Sequence, residues 1–144
     1  MYEVGNVLYV KDPEVKIVES GFPDVLLVYT SLDVVKAYAM VSHREYGFVE
    51  NIIPIHCVLN SPPRLDEVKE CITSLKLPDR VKLKVKARGV REVSKSIFTE
   101  IVRFLRENNI HHDTTAKTCL YIEVFPNKTY IGLGSCQPVF KAVV

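Results

Sequence analysis

Between Lys82 and Gly89 the chain reads Lys-Leu-Lys-Val-Lys-Ala-Arg-Gly, with basic and apolar side chains in strict alternation. A period of two is the pattern of a β-strand. On a strand it puts Lys82, Lys84, Lys86 and Arg88 on one face and Leu83, Val85 and Ala87 on the other. The apolar face belongs on a core and the basic face away from it. Successive basic side chains then stand roughly 6.6 Å apart, a row suited to a polyphosphate partner. A solvated outer face of an antiparallel strand also carries lysines, which discourage edge pairing. The charge around the strand favours the polyphosphate partner.

From Arg80 to Arg106 there are nine basic residues against Glu92 and Glu100, a local charge of +7 in a chain whose total is +2. Met1 to Pro63 holds Lys11, Lys16, Lys36 and Arg44 against eight carboxylates, a balance of −4. A nearly neutral protein with one strongly basic segment has a polarised surface, which orients it on a nucleic acid. The 144 residues suffice for one ordinary domain or two small packed ones, and 47% hydrophobic with 25% charged residues is a globular composition. No apolar run is long enough to span a membrane, and Met1-Tyr2-Glu3-Val4-Gly5 lacks the basic and apolar regions of an export signal. A cytoplasmic protein with no membrane partner is the expectation. Cys57, Cys71, Cys119 and Cys136 form no C-x-x-C pair, so reduced, buried cysteines are expected.

Read for elements, Asn6 to Val10 and Val15 to Glu19 look like short strands. Gly21-Phe22-Pro23-Asp24 turns into the apolar strand Val25 to Tyr29. Thr30 or Ser31 is placed to cap a helix that carries Val34, Val35, Ala37, Tyr38 and Val41 and ends near Arg44 and Gly47. Phe48 to Leu59 is extended and interrupted by Pro54. Pro62-Pro63 introduces a second helix with Asp66 and Glu67 in its first turn, where the helix dipole favours acids. After the basic strand, Ser94 is available to cap a helix with the stripe Ile97, Phe98, Ile101, Val102, Phe104 and Leu105; Lys95, Arg103 and Arg106 lie outside it. Asn108-Asn109 stops that helix. Cys119 to Phe125 and Thr129 to Leu133 then form an antiparallel hairpin around Pro126-Asn127-Lys128. The second half is thus an α+β module with helices covering one sheet face.

The run Val85 to Ser94, the earlier Ile52-Ile53-Pro54-Ile55 and the closing strand pair resemble the THUMP domain of tRNA-modifying enzymes. The resemblance covers about Phe48 to Leu133. It divides the chain into a shortened ferredoxin-like segment, residues 1–47, and a THUMP domain, residues 48–144. It implies a tRNA partner bound near the acceptor stem, with Lys84, Lys86, Arg88, Arg91 and Lys95 as contacts by motif position; Lys82, Arg103 and Arg106 complete the candidate basic surface. In this sequence Ala87 stands where the family's run has a second basic residue, and Asp113-Thr114-Thr115-Ala116 replaces its acidic-apolar-Asn-Pro segment. Family enzymes join this unit to a catalytic domain, for which these 144 residues leave no room. The chain therefore looks most like the adaptor that presents tRNA for cytidine N4-acetylation. That implies a separate modifying enzyme as partner and no catalysis of its own, and it allows a homodimer, since one unit offers only a small basic surface. The alternative is a protein-interaction module or regulatory subunit that does not bind RNA.

Other chemistries find little support in the residues. There is no Walker-type loop and no glycine-rich cofactor turn after an early strand, so no cofactor is expected. His111-His112-Asp113 with Cys119 contains metal-ligating types, but adjacent histidines diverge and no fourth ligand has a usual spacing. His56 and Cys57 would face opposite sides of a strand and cannot share a proton. Recognition through lysines and arginines is recognition of shape and backbone. Reversing Lys86 and Arg88 to glutamate is accordingly expected to abolish tRNA binding without unfolding the protein.

Overall fold

The computed structural model describes residues 3–22, 25–42, 52–89 and 93–136. The expected turn at Pro23-Asp24, the helix end at Arg44 and Gly47, the start of the extended segment at Phe48 and the candidate Arg91 lie outside the described residues. The chain divides into two compact units between Pro54 and Ile55.

The first unit contains α1 (Glu3–Tyr9), β1 (Lys16–Glu19), β2 (Leu26–Tyr29) and α2 (Val34–Ser42). β1 and β2, both expected as strands, pair antiparallel in a two-stranded sheet. The expected strand at Asn6 to Val10 is instead the helix α1. Val4, Val7 and Leu8 recur at helical spacing, and Leu8 packs with Ala37 and Val41 of α2 in a small core. Thr30 and Ser31 do not cap α2 either. Asp33 does, its Oδ2 accepting the Lys36 N–H at 3.3 Å. Thr30 and Ser31 are occupied by the buried carboxylate of Asp12, which accepts from the Thr30 hydroxyl at 2.6 Å, the Ser31 N–H at 2.9 Å and the Glu14 N–H at 3.1 Å. Those hydrogen bonds, the Thr30 hydroxyl foremost, hold the Asp12 carboxyl below its ordinary pKa.

The second unit contains β3 (Cys57–Asn60), α3 (Leu65–Ser74), β4 (Arg80–Ala87), α4 (Val93–Glu107), β5 (His111–His112), β6 (Thr118–Val124) and β7 (Lys128–Ser135). Its five strands are ordered β3-β7-β6-β4-β5. β4 runs parallel to both of its neighbours, whereas β6–β7 and β3–β7 are antiparallel. The expected basic strand, second helix, stripe helix and closing hairpin are all present. Among the described residues the architecture is α+β, with no helix long and apolar enough to cross a membrane.

The core lies on one face of this sheet. Val81 and Leu83 of β4, Leu120, Ile122 and Val124 of β6 and Ile131 of β7 meet Val68 and Ile72 of α3 and Ile97, Ile101 and Leu105 of α4. Val93 already belongs to α4, so Ser94 sits inside the first turn instead of capping it. The far end of α4 stops as expected. Asn109 takes the left-handed conformation at φ 61°, and the Ile110 N–H reaches back to the Leu105 carbonyl at 2.8 Å.

The cysteines are not reduced. Cys57 is bonded to Cys71 and Cys119 to Cys136, tying β3 to α3 and β6 to the chain just beyond β7. Folding brings the pairs together at Cα separations of 6.3 and 5.0 Å, a proximity that sequence spacing does not reveal. The bonds span 14 and 17 residues, and loops of that size are expected to gain about 3 kcal/mol each from closure. Full reduction should therefore lower Tm by more than about 10 °C in a thermal melt with and without dithiothreitol. An unchanged melt would show that the bonds do not constrain the fold.

Candidate nucleic-acid interface

β4 positions the basic row by its alternation. Val81, Leu83, Val85 and Ala87 turn to the helix-covered core, so Lys82, Lys84 and Lys86 project from the opposite face of the sheet. Lys86 is exposed, while Lys82 and Lys84 are half-buried. No carboxylate among the described residues forms an ion pair with any of the three. Lys84 Nζ lies 5.8 Å from the centre of the Tyr121 ring, a cation–π contact. Gly89, two residues past the end of β4, has φ 73°, a conformation that favours glycine.

Arg88 continues the row in sequence, but its charge is engaged internally. Its Nη1 lies 3.1 Å from Glu123 Oε1, with the two side chains only 17% and 11% exposed. That contact is an ion pair without hydrogen-bond alignment. The guanidinium also stacks 5.3 Å from the centre of the Phe125 ring. The parallel register explains the pairing, because it sets Lys86 beside Glu123 and so brings the next basic residue of the row within reach of that carboxylate. Replacing Arg88 by glutamate would place two carboxylates in one nearly buried site. The Lys86/Arg88 double reversal expected from the sequence is thus a poor test of binding, since it perturbs folding.

The three candidates on α4 do not join the row. Lys95, Arg103 and Arg106 are exposed on α4, which covers the other face of the sheet, and Arg103 lies 3.5 Å from Glu100. Arg80, at the start of β4, pairs with Asp113 at 3.1 Å. Of the eight candidates the structure brings Lys82, Lys84 and Lys86 together, ties Arg88 beneath their end and sets three others apart; Arg91 lies outside the described residues.

Sequence reasoning missed the rest of this face. Tyr121, Glu123 and Phe125 of the β6 segment and Tyr130 of β7 share it with the lysines, and the Phe125 and Tyr130 rings meet edge-to-face at 5.4 Å. The alternation within Leu120 to Phe125 carried that signal, hidden because both faces of β6 are buried. The Tyr121 hydroxyl donates to the Ser135 carbonyl at 2.5 Å, and Tyr121 and Phe125 are buried, so neither ring is free for a base to stack on.

His112, Asp113 and Cys119 are otherwise engaged. His112 Nδ1 accepts the Leu83 N–H at 3.1 Å, Cys119 is in a disulfide, and no group of three or more potential ligands is present among the described residues. Asp113 accepts from the Thr115 hydroxyl and N–H at 2.7 and 2.8 Å as well as facing Arg80. These contacts, the Thr115 hydroxyl first, hold its pKa down to about 2. A depressed carboxylate stabilises the native state above its unfolded pKa, and that contribution disappears as pH falls through the folded pKa. Stability should therefore fall between pH 3.8 and about 2, and Asp113→Asn should flatten that part of the curve in chemical denaturation at stepped pH. Equal acid sensitivity of the variant would remove Asp113 from the explanation.

No protein-family model matches the sequence, and no curated protein matches it. The fold, however, has counterparts among solved structures. The structure of PH1313 from Pyrococcus horikoshii superposes with a TM-score of 0.64 at 16% identity, over 98% of this chain and 49% of that one. TrmN from Thermus thermophilus superposes with a TM-score of 0.57 at 10% identity, over 79% of this chain and 36% of that one. The class the fold defines is therefore THUMP-like α+β. The chain spans less than half the length of either structure it resembles.

Proposed function

We propose that this protein binds tRNA through the lysine face of β4 and presents it, without catalysis of its own, to a separate modifying enzyme. The observation that carries the proposal is Lys82, Lys84 and Lys86 standing on one strand face with no carboxylate among the described residues in ion contact. Their charges are thus not offset by a carboxylate among the described residues, and the strand sets their spacing at roughly 6.6 Å, a scale on which successive backbone phosphates can be met. The THUMP resemblance directs the choice of nucleic acid to tRNA and of region to the acceptor stem. The same resemblance motivates the adaptor role and cytidine acetylation as the modification served. Burial of Tyr121 and Phe125 supports recognition of backbone and shape over base stacking.

Three phosphate-neutralising lysines give a definite salt dependence. The logarithm of the affinity for tRNA should fall against the logarithm of salt concentration with a slope of about −2 to −3. Titrations at several salt concentrations, with duplex DNA as control, measure it. A slope near zero, or equal affinity for both nucleic acids, would count against a tRNA-binding face.

A further inference from the structure

β4 is eight residues long, but its outer neighbour β5 has two and pairs only with Arg80 and Val81. Backbone groups along a strand point alternately to its two sides. The Arg88 N–H reaches the Val124 carbonyl at 2.8 Å, so even-numbered residues of β4 serve β6 and odd-numbered ones face outward. On the outward side, the Asp79 carbonyl accepts from His111 N–H at 2.8 Å and the Val81 carbonyl from Asp113 N–H at 2.9 Å. The Leu83 N–H donates to His112 Nδ1 at 3.1 Å, a side chain taking the place of the missing strand. Beyond it, the Leu83 carbonyl, both backbone groups of Val85 and the Ala87 N–H find no partner among the described residues.

We propose that this outer edge of β4, from Leu83 to Ala87, takes an extended segment of another polypeptide as an added strand, with acidic side chains at alternate positions. Two donors alternating with two acceptors match an extended backbone; RNA phosphates offer acceptors only. Side chains of an added strand stand on the same two faces as those of β4. On one face they meet Lys82, Lys84 and Lys86, which select carboxylates directly across. On the other they come alongside α4, where Phe98 is 36% exposed and its ring meets His112 edge-to-face at 5.2 Å, which selects apolar residues. The occupant is a different polypeptide, because no stretch of these 144 residues places acids at three successive alternate positions. The added strand draws on the lysines that face RNA, so the two exclude each other; the edge pairing itself does not depend on RNA binding.

Amide hydrogen exchange of the full chain, read at Val85 and Ala87, tests the proposal with a capped nine-residue peptide of alternating valine and glutamate. At ten times its dissociation constant the peptide should slow exchange at both amides by about tenfold. A valine–lysine peptide, and the valine–glutamate peptide N-methylated at alternate residues, should leave both unchanged. Unchanged exchange with the glutamate peptide, equal protection by either control peptide, or protection of these two amides by tRNA but not by peptide would overturn it.

Discussion

Replacing Lys82, Lys84 and Lys86 together by glutamate is expected to reduce tRNA affinity by about 100-fold or more near 0.1 M salt. Each lysine removed takes roughly one unit from the salt slope, and each glutamate added repels a neighbouring phosphate. The fold should survive with a modest loss of stability, because the three side chains lie on the face away from the core, although Lys86→Glu comes beside Glu123 in the register. Circular dichroism and a melt check that, and filter binding reads the affinity. A folded triple variant that binds as well as the parent would move the interface off β4.

The second large effect falls on stability. Glu123→Ala removes the counter-charge of Arg88, whose side chain is only 17% exposed beside Glu123, and breaking one partner of such a pair is expected to cost about 3 kcal/mol. The stacking of Arg88 on Phe125 remains but does not offset a buried charge. Urea unfolding should show a lower midpoint at an unchanged slope. A loss under about 1 kcal/mol would mean that solvent reaches the guanidinium and that the pair is no more than a surface contact. Together the two variants separate charge that serves a ligand from charge that serves the fold, although Lys86 and Arg88 stand only two residues apart in the chain.

That distinction marks what could be read in advance. The basic strand was legible because an alternation of period two is local and its apolar half must find a core. The helix from Val93 and the hairpin from Thr118 were legible for the same reason, and the α+β class follows from their order. The role of Arg88 was not legible, because it depends on a parallel register with Glu123, thirty-five positions away, that no local pattern encodes. The strand expected at Asn6 to Val10 failed for a related reason. Val7 and Val10 favour strands locally, but packing of Leu8 on Ala37 and Val41 selects the helix. Likewise Thr30 and Ser31 are good capping residues, yet Asp12 engages both. The disulfides join residues that only the fold makes neighbours. The candidate site was therefore legible as a row and not as a surface, with its members sorted afterwards by partners from distant strands.

Ultraviolet crosslinking of the protein to tRNA, followed by mass spectrometry of the RNA-bearing peptides, tests the central claim most directly. Nucleotide adducts concentrated on Lys82, Lys84 and Lys86, and weakened by raised salt, are the predicted result. Adducts confined to α4 or to the first unit, or none on β4 while tRNA is bound, would contradict it.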